Sequence, residues 1–160
     1  MQLPTILVDG SAFSNPFDAG LMQSEVELRP DRAPVAIHVE GSIAGGAYDV
    51  VVDLWGVEAG VPEFLLFTCI IETEVTLDPA GPNGQVHYQN VLREILPPPS
   101  DGESPGGVLV SGLANGEQRH FQLSYALPTG GYDPNHLAVI AIAQIPGTGQ
   151  VLQAGSNLQR

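Results

Sequence analysis

Apolar and polar side chains alternate along several stretches of this chain, and turn-forming residues separate these stretches. In EQRHFQLSYAL, for example, Phe121, Leu123 and Tyr125 alternate with polar residues, and AYDVVVDLWG repeats the pattern. A period of two residues is typical of a β-strand with one buried face. The connecting stretches, such as DPAGPNG, ANGE and PTGGYDPN, contain the proline, glycine and asparagine that turns require. The sequence therefore predicts an all-β protein, an antiparallel β-sandwich of immunoglobulin-like type with about seven strands.

The stretch 64–77 is apolar on both faces over much of its length. One uninterrupted row is predicted to face inward: Leu65, Phe67, Cys69, Ile71, Thr73, Val75 and Leu77. The opposite row begins apolar and becomes acidic only at Glu72 and Glu74, so its apolar half is predicted to face outward. A contiguous exposed apolar patch usually marks an interface. The predicted partner-binding residues are this half-row and a tryptophan that faces outward on the strand expected to lie beside it: Trp55, Phe64, Leu66 and Ile70. Cover by a loop of the same chain is the open alternative.

The charge balance restricts the partners of the chain. Eighteen carboxylates face five arginines, lysine is absent, and the formal net charge is −13. Binding to nucleic acid requires clustered basic residues, and an anionic membrane surface attracts them too, so both partners are disfavoured. No apolar run is long enough to span a membrane, and the first residues, MQLPTILVDG, lack the pattern of a signal peptide. We expect protein partners in a larger assembly.

Residues with catalytic or metal-binding chemistry are few and scattered. The four histidines, at positions 38, 87, 120 and 136, match no metal or catalytic spacing. Cys69, the single cysteine, lies in the apolar run LLFTCII and is predicted to be a buried, inert thiol. Calcium is possible at the acidic turns SDGES, LDPAGPNG and YDPN, but aspartate in a turn usually hydrogen-bonds its own backbone. We predict no catalytic residue, no cofactor and no metal site.

The stretch HYQNVLREIL contains one of the few arginines, Arg93, in a half-apolar setting. A guanidinium can bind one carboxylate or several backbone carbonyls, and we interpret Arg93 as a residue that fixes the crossing between two sheets. Ligand binding or catalysis by Arg93 with Asn90 and His87 is the alternative. The predicted structural motif comprises Tyr88, Asn90, Leu92 and Arg93.

Two stretches, YQNVLREIL and GTGQVLQAGSNL, resemble the outer membrane protein twenty-eight family, whose signature is His-Asn-x-Val-Leu-Arg. The resemblance implies an immunoglobulin-like sandwich preceded by a thioredoxin-like domain, in envelope or secreted proteins without a defined enzymatic role. LPTILVDG is similar to the thioredoxin segment that starts at its cis-proline, which would make Pro4 that residue. Residues 1–32 are thus expected to be an N-terminal β-β-α extension, a thioredoxin-fold remnant, and residues 33–160 the sandwich. The CxxC half of such a domain is absent from this sequence.

These observations favour a non-enzymatic interaction module, an accessory subunit of a larger extracytoplasmic or membrane-associated complex. The periplasmic or outer-surface location follows from the resemblance alone. One alternative is a fragment of a thioredoxin-like redox protein whose CxxC half lies upstream or on another chain. Another is a calcium-dependent adhesion or carbohydrate-binding module.

Overall fold

The computed structural model describes residues 7–8, 11–12, 20, 23–24, 27, 32–99 and 106–158. The strands within these ranges are β1 (Leu7–Val8), β2 (Ser11–Ala12), β3 (Val35–Ala44), β4 (Ala47–Gly56), β5 (Phe64–Thr76), β6 (His87–Leu96), β7 (Val108–Val110), β8 (Gln118–Ala126), β9 (Leu137–Gln144) and β10 (Val151–Ser156). A short 3-10 helix, Pro134–His136, precedes β9.

Strands β3 to β10 form two antiparallel sheets. One sheet has the order β3-β4-β8, and the other has the order β10-β9-β5-β6, with β7 also paired to β5. Buried residues from both sheets form one hydrophobic cluster, which includes Val50, Val52, Phe64, Leu66 and Val139. The predicted all-β sandwich is therefore confirmed; its immunoglobulin-like character stays a prediction.

The N-terminal part is described only in short pieces. β1 pairs with β2 in an antiparallel hairpin, with Leu7 opposite Ala12. Gly20, Gln23, Ser24 and Glu27 have helical conformation, and the β-β-α order of this part stays a prediction. Pro4 lies outside the described residues, and the thioredoxin origin and the boundary at residue 32 stay predictions.

The three-stranded sheet follows the alternation of its sequence. In β4, Tyr48, Val50, Val52 and Leu54 are buried and point into the sandwich, as predicted. β3 joins β4 through Gly45 and Gly46, whose φ angles are 57° and 83°. Two successive positive φ angles are the geometry of the tightest hairpin turns, which glycine adopts without steric cost. The hairpin sets β3 and β4 in register over ten residues each.

The predicted orientation of β5 is wrong over residues 64–70, whereas Ile71 is buried, as predicted. Phe64, Leu66 and Ile70 are fully buried in the core, whereas Leu65 and Cys69 are partly exposed on the other face. The acidic Glu72 suggested that its row faced solvent, yet Glu72 is only 4% exposed. A carboxylate can be buried when it is paired with a cation, and the cation lies on the next strand.

A β-bulge on β6 supplies that cation. Ile70 lies opposite Glu94, but the following residue, Ile71, lies opposite Leu92. Arg93 is thus the extra residue of β6, and the simple alternation that the sequence suggests for 87–96 ends there. The bulge turns Arg93 towards Glu72.

Candidate functional site

The predicted docking patch does not exist as a surface. Phe64, Leu66 and Ile70 are fully buried, so no partner can contact their side chains in this fold. Trp55 does face outward and is half-buried, but it lies on β4, in the three-stranded sheet. β4 and β5 follow each other in sequence and belong to opposite sheets. The prediction failed because it treated them as neighbours in one sheet.

The other row of β5 forms an exposed apolar surface with its neighbours. Residues directly opposite each other in antiparallel strands share one face of the sheet. Cys69 lies between Ile95 of β6 and Ile140 of β9, and Phe67 lies beside Ile142. Leu65 pairs with Leu109 of β7. The outer apolar face, as we name it, comprises Leu65, Phe67, Cys69, Ile95, Leu109, Ile140 and Ile142.

The outer apolar face is partly accessible to solvent and carries no charge. Leu109 is the most exposed member at 57%, and the other members are intermediate. Ala154 of β10 and Gln144 of β9 extend the same face without adding a charge. In a chain with eighteen carboxylates, an uncharged sheet face of this extent among the described residues is unusual and typical of a contact surface.

The outer face of the three-stranded sheet is polar by contrast. His38, Asp53 and His120 lie side by side on its three strands, and His120 Nδ1 is 2.7 Å from Asp53 Oδ1. His38 Nε2 lies 3.1 Å from Glu40 Oε1. Both histidines are exposed, as predicted for the outer faces of strands. The sheet pairing brings together a histidine and a carboxylate that lie 67 residues apart.

Arg93 and Glu72 form a partly buried ion pair between β6 and β5. Arg93 Nε and Nη2 donate to Glu72 Oε2 at 2.7 and 2.5 Å. The other carboxylate oxygen, Oε1, accepts from the backbone N–H of Asp133 at 3.0 Å. The guanidinium also lies 4.9 Å from the ring centroid of Tyr132. Tyr132 and Asp133 belong to the connection from β8 to β9, which crosses from one sheet to the other.

The predicted role of Arg93 requires contacts of this kind. A single carboxylate holds the guanidinium, and both contact the segment that joins the sheets. Sequence reasoning missed Glu72 and Tyr132 as its partners. The acidic residue in the otherwise apolar row of β5 was the signal that could have identified Glu72. The stabilising role itself stays a prediction.

Tyr125 extends this cluster towards the edge of the sandwich. It lies on the inner row of β8, facing Glu94 of β6 and Tyr132. Its hydrogen bond with Tyr132, together with desolvation and the negative charge of Glu94, raises the pKa of Tyr125 to about 12. The hydroxyl therefore acts as a neutral hydrogen-bonding group.

The other residues of the predicted motif have separate environments. Tyr88 donates its hydroxyl hydrogen to Asn83 Oδ1 at 3.2 Å and so contacts the turn before β6. Asn90 has a φ of 53°, and Leu92 is more than half exposed. At the start of β6, His87 Nδ1 lies 3.1 Å from Thr76 Oγ1. The motif is one strand rather than one site, since His87 and Arg93 are six residues apart along it.

The described residues offer little for metal or thiol chemistry. They contain no group of three or more histidine, cysteine, aspartate or glutamate residues that could hold a metal ion. Asp133 accepts hydrogen bonds from the backbone and side-chain amides of Asn135, and the backbone bond lowers the pKa of its carboxyl. Cys69 is half-buried on the outer apolar face rather than in the core, and burial raises the pKa of its thiol. The turn SDGES lies outside the described residues.

Comparison with known proteins shows the fold. No protein-family model and no curated protein sequence matches the chain. A domain of the outer membrane lipoprotein Omp28 from Porphyromonas gingivalis is similar in structure, with a TM-score of 0.52 and 13% identity, over 78% of this chain and 86% of that one. The chain has an Omp28-like fold. HBP35 of Porphyromonas gingivalis gives a TM-score of 0.61 and 14% identity, over 86% of this chain and 44% of that one.

The chain therefore matches less than half the length of HBP35. Among the described residues, no helix is long and apolar enough to cross a membrane.

Proposed function

We propose that this chain is a non-enzymatic interaction module that docks onto a protein partner through its outer apolar face. The observation that supports this proposal is the uncharged, partly exposed face of the five-stranded sheet. This face takes the place of the patch predicted from the sequence. The argument that an exposed apolar patch marks an interface is the same, but it now applies to the opposite row of β5.

The size of the face suits an interaction site. Four strands at about 4.8 Å spacing and five residues along each strand at about 3.3 Å per residue give a flat area of roughly 300 Å². Exposed apolar patches of a few hundred Å² on soluble proteins usually mark contact with another macromolecule. No member of this face is charged, so an apolar partner surface can contact these side chains without burying one of their charges.

The proposed setting is a larger extracytoplasmic assembly in which the chain is an accessory subunit. Two observations support it: the Omp28-like fold, and the resemblance of YQNVLREIL to the signature of that family. The redox alternative gains nothing from Cys69, because a raised thiol pKa lowers the fraction of reactive thiolate at neutral pH.

A matched pair of charge substitutions tests the proposal. Leu109→Asp places a carboxylate on the outer apolar face at its most exposed position. Val57→Asp makes the same change at a residue that is 47% exposed and lies outside the sheet. Both variants are expected to fold, because neither side chain belongs to the buried core.

The assay compares the proteins captured from membranes of the source cells by the wild type and by each variant. We expect the Leu109→Asp variant to lose a partner that the Val57→Asp variant retains, with at least about tenfold weaker binding of the purified partner. Equal capture by all three proteins would contradict docking through this face. A partner that is found in the cytoplasmic fraction of the cells would contradict the extracytoplasmic setting.

A further inference from the structure

The free edge of β8 is regular over its whole length. Its nine residues, QRHFQLSYA, contain no proline and no glycine, and their pairing with β4 has no bulge. Gly56 N donates to Glu117 O just before β8, and Leu127 N donates to Gly46 O just after it, both in the register of the strand. In an antiparallel ladder, hydrogen-bonded and non-hydrogen-bonded pairs alternate. The odd-numbered residues of β8 therefore direct their backbone groups to β4.

The even-numbered residues direct their N–H and C=O groups away from the sheet. These residues are Gln118, His120, Gln122, Ser124 and Ala126. Within the described parts of the chain, none of these backbone groups has a hydrogen-bonding partner. A row of five unpaired residues is a template for the addition of another strand.

The other long edges of the sandwich are obstructed. β3 and β10 pack against each other, and the backbone of Gly155 lies so close to Ile37 that a Cβ there would be 3.1 Å from the Ile37 carbonyl oxygen. β6 is interrupted by the bulge at Arg93 and by the left-handed Asn90. Bulges and irregular residues prevent strand addition at an edge. β8 lacks such a device.

The sequence of β8 is compatible with a second copy of itself in antiparallel orientation. With a two-fold axis at Gln122, residues whose side chains lie on the outer face of the sheet are opposite each other. Gln122 faces Gln122 of the second copy, and His120 faces Ser124. On the inner face, Phe121 faces Leu123, and Arg119 faces Tyr125. Apolar residues thus meet apolar residues, and the only arginine of the strand meets an aromatic ring.

The charge of β8 removes the main obstacle to self-association. The chain carries eighteen carboxylates, and none lies between residues 118 and 126. Two copies with a net charge of −13 each can meet here without opposing two carboxylates across the ladder.

We infer that two copies of this chain associate through β8, antiparallel about Gln122, and form one continuous six-stranded sheet from their three-stranded sheets. The association is isologous, so each copy uses the same residues. It does not involve the outer apolar face, and it is independent of the proposed function.

Sedimentation of the purified chain from micromolar to near-millimolar concentration tests the association. We expect a dimer that the Gln122→Pro variant weakens at least about tenfold, since proline removes an outward N–H from each copy. Proline at this position breaks no bond to β4, because the Gln122 amide points away from β4. The control, Gln122→Thr, retains the N–H and is expected to remain dimeric. Leu109→Asp is also expected to leave the dimer intact.

A charge exchange tests the position of the axis. Gln122→Glu and Gln122→Arg each place two like charges opposite each other, so each variant alone is expected to be monomeric. An equimolar mixture is expected to form a heterodimer, because the unlike charges then face each other. A monomeric wild type, a dimer that survives Gln122→Pro, or a mixture that stays monomeric would overturn the inference. Binding of an extended peptide at β8 by a monomeric wild type would assign the edge to another partner and overturn it too.

Discussion

Removal of the Arg93 guanidinium is expected to destabilise the fold far more than removal of an exposed arginine. Glu72 is 4% exposed, and the side chain of Arg93 is 23% exposed. Arg93→Ala leaves a buried carboxylate whose one remaining donor among the described residues is the backbone N–H of Asp133. Loss of one partner from a buried ion pair typically costs about 3–5 kcal/mol. Since water reaches part of the Arg93 site, we expect a decrease of about 2–4 kcal/mol in the free energy of unfolding.

The matched control is Arg119→Ala. Arg119 pairs with Glu117 at 2.5 Å, but the two side chains are 46% and 31% exposed, so this pair is screened by water. Surface pairs contribute about 0–1 kcal/mol, and we expect this variant to lose no more than that. The measurement is urea-induced unfolding followed by circular dichroism, with the slope of the transition unchanged if only stability changes.

A double substitution distinguishes the cost of an unpaired buried carboxylate from the loss of the ion pair itself. Glu72→Leu combined with Arg93→Met removes both charges and retains much of the side-chain volume. Apolar replacement of a buried ion pair is often neutral, so the double variant is expected to be more stable than Arg93→Ala alone. A loss of stability for Arg93→Ala as small as that for Arg119→Ala would refute the reasoning. It would also be refuted if the separate losses for Glu72→Leu and Arg93→Met added up to the loss of the double variant.

Three further predictions follow from burial and titration. Ile70→Ala is expected to lower the free energy of unfolding by about 2–5 kcal/mol and Cys69→Ala by about 1 kcal/mol or less, as measured by thermal unfolding, because only Ile70 lies in the core; the reverse order would restore the orientation predicted from the sequence. Tyr125 has a pKa raised from 10.0 to about 12, so its contribution to stability is complete below pH 10.0 and is lost as the pH rises towards about 12. The Tyr125→Phe variant is expected to lack that part of the alkaline stability loss. A dependence of the unfolding free energy on pH that is the same in the variant and the wild type would show that Tyr125 does not cause the loss. A calcium chelator is expected to leave the melting temperature unchanged; a decrease of several degrees would instead support the adhesion alternative.

The strands of the three-stranded sheet could be predicted from the sequence because each has one apolar and one polar face. In β4, every second residue from Tyr48 to Leu54 meets the core, and its neighbours meet solvent. A difference of that kind between two faces is a local property, and it requires no knowledge of the neighbouring strands.

The orientation of β5 could not be predicted in the same way. Both of its rows are apolar near Phe67, so hydrophobicity alone does not distinguish the core from the outer face. Glu72 then misled the prediction, because its burial depends on Arg93, a residue 21 positions further along the chain. The predicted docking residues Phe64, Leu66 and Ile70 therefore lie on the core face of β5, opposite the face that we propose for docking.

The sequence by itself determined that this chain forms strands and turns, and that it is acidic with little basic charge. Only the tertiary structure decided which strands share a sheet, that Trp55 and the outer apolar face lie on opposite sides, and that the bulge at Arg93 meets Glu72. The physical reason is that strand pairing uses backbone groups, which are nearly identical at every residue. Side-chain periodicity determines which residues share a face of a strand, while the partner of that strand depends on the packing of the whole sandwich.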